Sequence, residues 1–108
     1  MRAILSPAAA LLIRSLMSRT GLDQDRIFIS HAHSVDWQSL TFIGERHEIT
    51  LKLGVPDAAL GVARLRRGLA DAEWPMSGHV LADIVIVAER AAADGSILID
   101  IEALTLAA

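Results

Sequence analysis

Two histidines separated by one residue come nearest to a metal-binding motif in this chain. His31 and His33 lie in RIFISHAH (26–33), a segment that alternates in hydrophobicity and is rich in strand-forming residues. Side chains two residues apart share one face of a strand, so both imidazoles can reach one ion, with His47 as a third ligand. No acidic residue at a fixed spacing supports such a site. Two polar residues on an edge strand are the simpler interpretation, and we expect neither a metal nor another cofactor.

The other titratable residues do not form a recognisable catalytic set. His79 follows Gly78 at a predicted strand start, but no serine or cysteine nucleophile motif accompanies it. Asp83, Asp100 and Glu102 interrupt apolar strands, where carboxylates can perform acid–base chemistry or pair with arginines of a neighbouring subunit. Arginine pairing is favoured because no aromatic-lined substrate site accompanies them. We predict that the protein is not an enzyme.

Charge and cysteine content exclude several further classes of protein. The net charge of −3 offers no overall basic surface for nucleic acid. The basic run RLRR (64–67) is short and lacks aromatic neighbours, which favours a solvated helix face over a phosphate-binding patch. The chain contains no cysteine, which rules out a disulfide scaffold, a thiol nucleophile and a thiolate zinc site.

Local signals predict two helices. Ser6-Pro7 is a helix start, apolar residues recur at helical spacing, and Gly21 is a stop, so the first helix is expected over residues 7–20. A second helix is expected to begin at Pro56-Asp57 and to end before Trp74, because the following proline disfavours helix there.

Four strands are predicted around these helices. They cover residues 26–33, 39–54, 79–91 and 96–107, and the last two are joined by a hairpin at Asp94-Gly95. In the second strand the apolar residues Leu40 and Phe42 lie at even positions before Gly44, whereas Ile49, Leu51 and Leu53 lie at odd positions after it. This change of apolar phase at Gly44 predicts a bulge or bend there. Trp37 and Phe42 are expected to be large buried anchors on either side of that strand's start.

The predicted order of elements is α-β-β-α-β-β. This order indicates an α+β fold, a two-layer sandwich in which two helices cover one face of an antiparallel sheet. The 108 residues are the size of one domain, spanning 1–108. Hydrophobic residues make up 53% of the chain, and its mean hydropathy is +0.44. So apolar a small domain is expected to hide part of its surface against a partner or a second copy.

The N-terminal run MRAILSPAAALLIRSLMSR has a positive start and an apolar centre, as a signal peptide does. Pro7 and Arg14 interrupt that centre, and the run is too short to span a membrane. We therefore expect neither secretion nor a membrane partner.

The segment DWQSLTFIGERHEITLKL (36–53) resembles the mid-chain signature of the tail-terminator, or tail-completion, proteins of long-tailed phages and phage-derived gene transfer agents. Other parts resemble the same family in the same order: the N-terminal helix, DRIFISH, and the final strand pair with SGHVLADIVI and ADG. The signature positions are Trp37, Thr41, Phe42, Gly44, His47, Thr50 and Leu51.

The resemblance implies a structural protein of the virion. Such proteins form a hexameric ring on the head-proximal end of the tail tube, stop its polymerisation and offer a docking surface for the head. The expected partners are further copies of the chain, the tail tube protein and a head-completion or connector protein, with DNA passing through the lumen without specific binding. The expected location is the bacterial cytoplasm during assembly and then the particle's tail.

Contacts between subunits are expected from apolar strand residues and from arginines that pair with carboxylates. The candidates are Arg46, Arg64, Arg67, Ile84, Ile86, Ile99 and Ile101. Two alternatives remain open at this point: a head–tail connector or stopper protein, and a small metal-binding domain that uses His31, His33 and His47.

Overall fold

The computed structural model of the chain describes residues 5–70, 74 and 76–108. It shows an α+β domain with two helices and four antiparallel strands, which confirms the predicted fold class. The elements in chain order are α1 (Pro7–Thr20), a short 3-10 turn (Gln24–Arg26), β1 (Ile27–Gln38), β2 (Ile43–Leu53), α2 (Ala58–Ala70), β3 (His79–Ala91) and β4 (Ile97–Ala107).

The first helix has the predicted bounds because its two ends carry strong local signals. The Ala9 N–H donates to the Ser6 hydroxyl at 3.1 Å, which satisfies one of the free donors of the first turn. Gly21 takes a left-handed conformation (φ 67°), and its N–H donates to the Ser18 carbonyl. Neither described helix is long and apolar enough to cross a membrane.

The second helix begins later than predicted. Its first residue is Ala58, and the Gly61 N–H donates to the Asp57 carbonyl at 2.9 Å. Asp57 therefore precedes the helix, and the predicted start at Pro56 is wrong by two residues. The predicted stop before Trp74 falls among residues that the structure does not describe.

The predicted strand over residues 39–54 is wrong at its start. β1 continues to Gln38 and the chain turns over residues 39–42, so the segment 36–51 is a hairpin and not one strand. The turn is held by the Ser39 N–H, which donates to the Phe42 carbonyl at 2.9 Å, and by the Phe42 N–H, which donates to the Ser39 hydroxyl at 3.1 Å. The change of apolar phase therefore comes from this turn, and β2 has no bulge at Gly44.

The sheet has the order β1-β2-β4-β3, so β1 and β3 are its outer strands. Both outer strands contain bulges. In β1 the extra residue is Ser30, and in β3 the extra residues are Ala82 and Val87. The strands at 79–91 and 96–107 agree with their predictions to within one residue.

One face of the sheet packs against both helices and forms the core. Its central positions are Ile49, Leu51, Leu53, Ile99 and Ile101, which are at most 2% exposed and lie in one cluster with α1 and α2 residues. Alternate residues of the same strands point the other way. We call this second side the open face, and its side chains are mostly exposed or half-buried.

Candidate functional site

The signature residues lie along the β1–β2 hairpin. Phe42 was predicted to be a buried anchor, but its side chain is 53% exposed at the turn, and the neighbouring Leu40 is fully exposed. Trp37 is half-buried and lies opposite Gly44. The expectation of two buried anchors is therefore wrong, because the turn carries Phe42 beyond the edge of the core. The seven positions are Trp37 in β1, Thr41 and Phe42 in the turn, and Gly44, His47, Thr50 and Leu51 in β2.

Gly44 allows β2 and β4 to approach each other closely. A Cβ atom at this position would overlap the carbonyl oxygen of Thr105 and would also lie 3.0 Å from the Thr105 carbonyl carbon. These are backbone atoms of the neighbouring strand, so they cannot rotate away as a side chain can. The glycine is explained by contact across the sheet and not by the bend that its sequence context predicted.

His47 links three neighbouring strands from within the protein. Its side chain is 1% exposed and faces the helix side of the sheet. The Ser34 hydroxyl in β1 lies 2.7 Å from Nδ1, and the Thr105 hydroxyl in β4 lies 2.8 Å from Nε2. A neutral imidazole donates from one ring nitrogen and accepts at the other, so both nitrogens are satisfied.

The protonation state of His47 follows from this setting. Burial lowers the pKa of His47 below its usual value; the Glu45 carboxylate partly opposes this effect, and His79 adds to it. A protonated ring donates a hydrogen bond from both nitrogens. The hydroxyl that donates to the neutral ring would then have to reorient and accept a hydrogen bond instead. The neutral form therefore fits the site.

The lowered pKa of His47 makes a prediction about acid stability. Because the unfolded chain binds this proton more readily, stability should be complete above the unfolded histidine pKa of about 6.5 and should fall as the pH drops from there towards the folded pKa. Urea unfolding midpoints measured on both sides of the usual histidine pKa test this. In a His47→Gln variant the midpoint should depend less on pH, because glutamine can donate and accept but does not titrate. Equal pH dependence in the two proteins would contradict the prediction.

A serine hydroxyl bound to a histidine, as in the Ser34–His47 pair, is also the arrangement of a nucleophile and its general base. The surroundings of this pair do not fit catalysis. The second ring nitrogen of His47 binds a hydroxyl and not a carboxylate, and the ring is almost completely enclosed. The arrangement can hold three strands in register, which is a structural task.

The structure separates the three histidines of the possible metal site. His31 and His33 lie on the open face, as the pattern predicted, with ring centroids 6.4 Å apart. His47 lies on the opposite face, so it cannot be their third ligand. Within the described ranges, no group of three histidine, aspartate or glutamate side chains is placed to hold a metal ion.

Carboxylates line the centre of the open face. The Thr50 hydroxyl and the Arg90 guanidinium each donate to Asp100 Oδ1, at 2.7 and 2.8 Å. The Thr50 hydrogen bond, more than the Arg90 contact, holds the pKa of Asp100 below its usual value. Arg90 belongs to the same chain, so Asp100 has an arginine partner without a second subunit, and pairing of these carboxylates with arginines of a neighbouring subunit stays a prediction. Glu48 and Glu102 lie directly opposite each other on neighbouring strands and are both exposed.

The arginines of α2 are exposed, as the solvated-face interpretation predicted. Arg66 donates to Glu89 Oε1 of β3 at 2.8 Å, and Arg64 reaches the Thr20 carbonyl at the end of α1 at 3.5 Å. Arg64 and Arg67 also line a surface cleft with Arg19, whose guanidinium lies 4.2 Å from the centre of the Trp74 ring.

Two of the predicted subunit contacts are wrong. Ile99 and Ile101 are 0% and 1% exposed beneath the helices, so they belong to the core of the single chain. Ile84 and Ile86 in β3 are half-buried, and Arg46 is exposed on the open face. These three remain able to contact another molecule, as do Arg64 and Arg67.

The partners of His47 were missed in the sequence. Ser34 and Thr105 lie 13 and 58 residues from His47, and only the sheet order brings them together. One local signal was available: Thr105 has the same parity as the apolar residues Ile99, Ile101 and Ala103, which places it on the inward face of β4.

No protein-family model, curated protein or solved structure matches this chain.

Proposed function

We propose that this protein is a structural component of a phage-like particle that caps the head-proximal end of the tail tube as a ring. The observation that carries the proposal is the distribution of exposed apolar side chains. Of the eleven large hydrophobic residues exposed among the described positions, six lie on the two outer strands. They are Phe28, Ile29 and Val35 in β1 and Val80, Val85 and Val87 in β3.

Two apolar edges on opposite sides of one sheet suit a head-to-tail contact. A contact between unlike surfaces closes into a ring when the rotation between copies allows it, whereas a two-fold dimer would cover only one of the two edges. The resemblance of residues 36–53 to the tail-terminator signature supports a ring with six subunits. The hairpin tip, with Leu40 fully exposed, adds a third apolar contact point for a tube or head protein.

Capping is a mechanism that requires no catalytic residues. In this mechanism one face of the ring repeats the contact that a further tube subunit would make, and the other presents a surface to the head-completion protein. In this mechanism the domain acts as two layers, with the helices on one side of the sheet and the open face on the other. The net charge of −3 favours a lumen that DNA can pass without being held.

Native mass spectrometry across a concentration series is the first test of the ring, and electron microscopy of tail ends is the second. We expect a hexamer in solution and ring density at the head-proximal end of the tube. Deleting the gene in the producing strain is expected to give tails of uncontrolled, excessive length. Tails of normal length in the deletion strain would overturn the proposed function, whatever the oligomeric state.

Reversing the charge of Arg46 is expected to reduce the hexamer fraction. Arg46 is exposed on the open face next to Glu48, so an Arg46→Glu variant would add a carboxylate to an already acidic surface without disturbing the core. Native mass spectrometry against Arg14→Glu, the same charge change on exposed α1, gives the comparison. If both variants assemble like the unaltered protein, Arg46 is not a ring contact.

A further inference from the structure

The outer strands β1 and β3 are long edges that could accept another strand. They contain 12 and 13 residues, and within the described ranges each pairs on one side only. Natural sheets discourage edge pairing with lysine, proline or a short edge strand. Neither strand contains lysine or proline. Each contains bulges, which can also interrupt pairing, so the positions of these bulges matter to any proposed ladder.

Strand direction allows the two edges to pair with each other. Every neighbouring pair in the order β1-β2-β4-β3 is antiparallel, so β1 and β3 run in opposite directions. A second copy in the same orientation therefore places its β3 antiparallel to β1 of the first. We propose that copies of this chain join edge to edge, β1 of one to β3 of the next, in a register that sets Val35 opposite Val80 of the second copy.

Apolar pairs form on both faces of the sheet in this register. Register is determined by the side chains that meet on each face, and a one-residue slip would exchange the faces. On the core side, the proposed register joins half-exposed residues of β1 to half-buried residues of β3. The apolar pairs are Val35 with Val80 on the open face, and Ala32 with Ile84 and Ile29 with Ile86 on the core side.

Charge complementarity favours this register over its neighbours. His33 meets Asp83 of the second copy on the open face, and Asp36 meets His79 on the core side. These four side chains come from two strands and two faces, yet each imidazole faces a carboxylate. All four are exposed or half-buried in the single chain, so they are free to meet.

The neighbouring registers of the same parity lose the pair of Asp36 with His79. If the second copy lay level with the first, Asp36 would face Leu81 and Ile29 would face Glu89, because these residues share rows across the present sheet. A shift the other way would leave Asp36 opposite Ser77, outside β3, and would set only one imidazole, His31, opposite a carboxylate, Asp83. The level register sets Asp36 against leucine on the core side, which costs its desolvation, and neither alternative forms two imidazole–carboxylate pairs.

The three bulges fall between pairs of the proposed ladder, with Ala82 between Leu81 and Asp83, the partners of Ser34 and His33. Ile29 faces Ile86 of the second copy, and the extra residues Ser30 and Val87 fall immediately beside this one pair. The register also displaces each copy by two residues along the strand relative to a level sheet. A constant stagger of this kind tilts the strands, as closure of strands into a ring requires.

The absence of cysteine allows a direct test of this register. Val35→Cys and Val80→Cys chains, mixed and oxidised, are expected to form mainly the mixed disulfide dimer. A chain with both substitutions is expected to give a ladder of higher oligomers. The two residues lie on opposite edges of one sheet, about 14 Å apart by strand spacing, too far for a disulfide within one chain. Both side chains are about half exposed, at 46% and 52%, so folding should be retained.

Two control pairs of cysteine substitutions distinguish the proposed register from other contacts between copies. Val35→Cys with Asp83→Cys reports the level register, and Val55→Cys with Val80→Cys reports random collision, because Val55 lies outside the strands. We expect several-fold less cross-linking from either pair. As a second measure, Val85→Lys should dissociate the assembly, whereas Leu60→Lys on exposed α2 should not.

The inference rests on the proposed function only for the closure of the ring, and the outcomes distinguish the two. A hexamer without the Val35–Val80 cross-link, or one that survives Val85→Lys, overturns the edge pairing and leaves the ring. The cross-link in open chains of no fixed length supports the edge pairing and contradicts the ring. A monomer without any cross-link overturns the edge pairing, and the tail-length test still decides the proposed function.

Discussion

Replacing Gly44 with alanine is expected to destabilise the protein more than any other single methyl group added to the sheet. The new Cβ would overlap the Thr105 carbonyl oxygen, so the two central strands β2 and β4 would have to move apart where β2 begins. We expect a loss of about 3 kcal/mol in the free energy of unfolding, the upper end of the usual cost of overpacking. In a domain of this size, that corresponds to a fall in Tm of roughly 10–20 °C, measurable by thermal unfolding.

The matched control for this prediction is Gly78→Ala. A Cβ atom at Gly78 would have no heavy atom within 4 Å, although the residue has a φ of 78° that alanine disfavours. The control should therefore lose only about 1 kcal/mol from its backbone conformation. If Gly44→Ala cost no more than Gly78→Ala, the close approach of β4 would not be what requires a glycine at position 44.

Replacing His47 with leucine is the second change with a large expected effect. Leucine fills a similar volume but leaves the Thr105 hydroxyl, 1% exposed, without its partner. Ser34 is only half-buried, so its hydroxyl can turn to water. Leaving a buried hydroxyl unpaired costs about 1–3 kcal/mol, and we expect a loss in this range by urea unfolding.

A double variant tests whether the unpaired hydroxyl is the cause. Thr105→Val alone leaves His47 Nε2 without a partner, and it should also destabilise the protein by about 1–3 kcal/mol. Combining it with His47→Leu removes both polar groups, so the double variant should be more stable than the sum of the single losses predicts. We expect a coupling of about 1–2 kcal/mol. Strictly additive losses would show that His47 stabilises the sheet by packing alone.

The two predictions together give the signature segment a physical meaning. Gly44 and His47 are three residues apart in β2, and both act on the same residue of β4: Thr105. Gly44 permits the close approach of β2 and β4, and His47 binds the Thr105 side chain across the two strands. A histidine and a glycine that suggest chemistry in the sequence therefore serve the geometry of the sheet, which in turn places the outer strands that we propose to be the contact edges.

Sequence alone was sufficient where the signals are local. The bounds of α1 follow from Ser6, Pro7 and Gly21, which act on the backbone of their own neighbours. The β3–β4 hairpin follows in the same way from Asp94-Gly95, and Asp94 indeed accepts a hydrogen bond from the Ser96 N–H at 3.0 Å. Alternation along HEITLKL (47–53) also places His47, Ile49 and Leu51 on one face of β2, as they lie in the structure.

Only the tertiary structure decided how these pieces meet. The turn over residues 39–42 was hidden because Leu40 and Phe42 are apolar, and their exposure is visible only once the core is known to end before them. An apolar strand does not reveal which face its own helices cover, so the sequence predicts contacts between subunits at Ile99 and Ile101, which lie in the core. The His47–Thr105 pair spans 58 residues and depends on β4 lying between β2 and β3. Strand order is a property of the whole chain, since it is determined by which faces can be buried together, and no local pattern contains it.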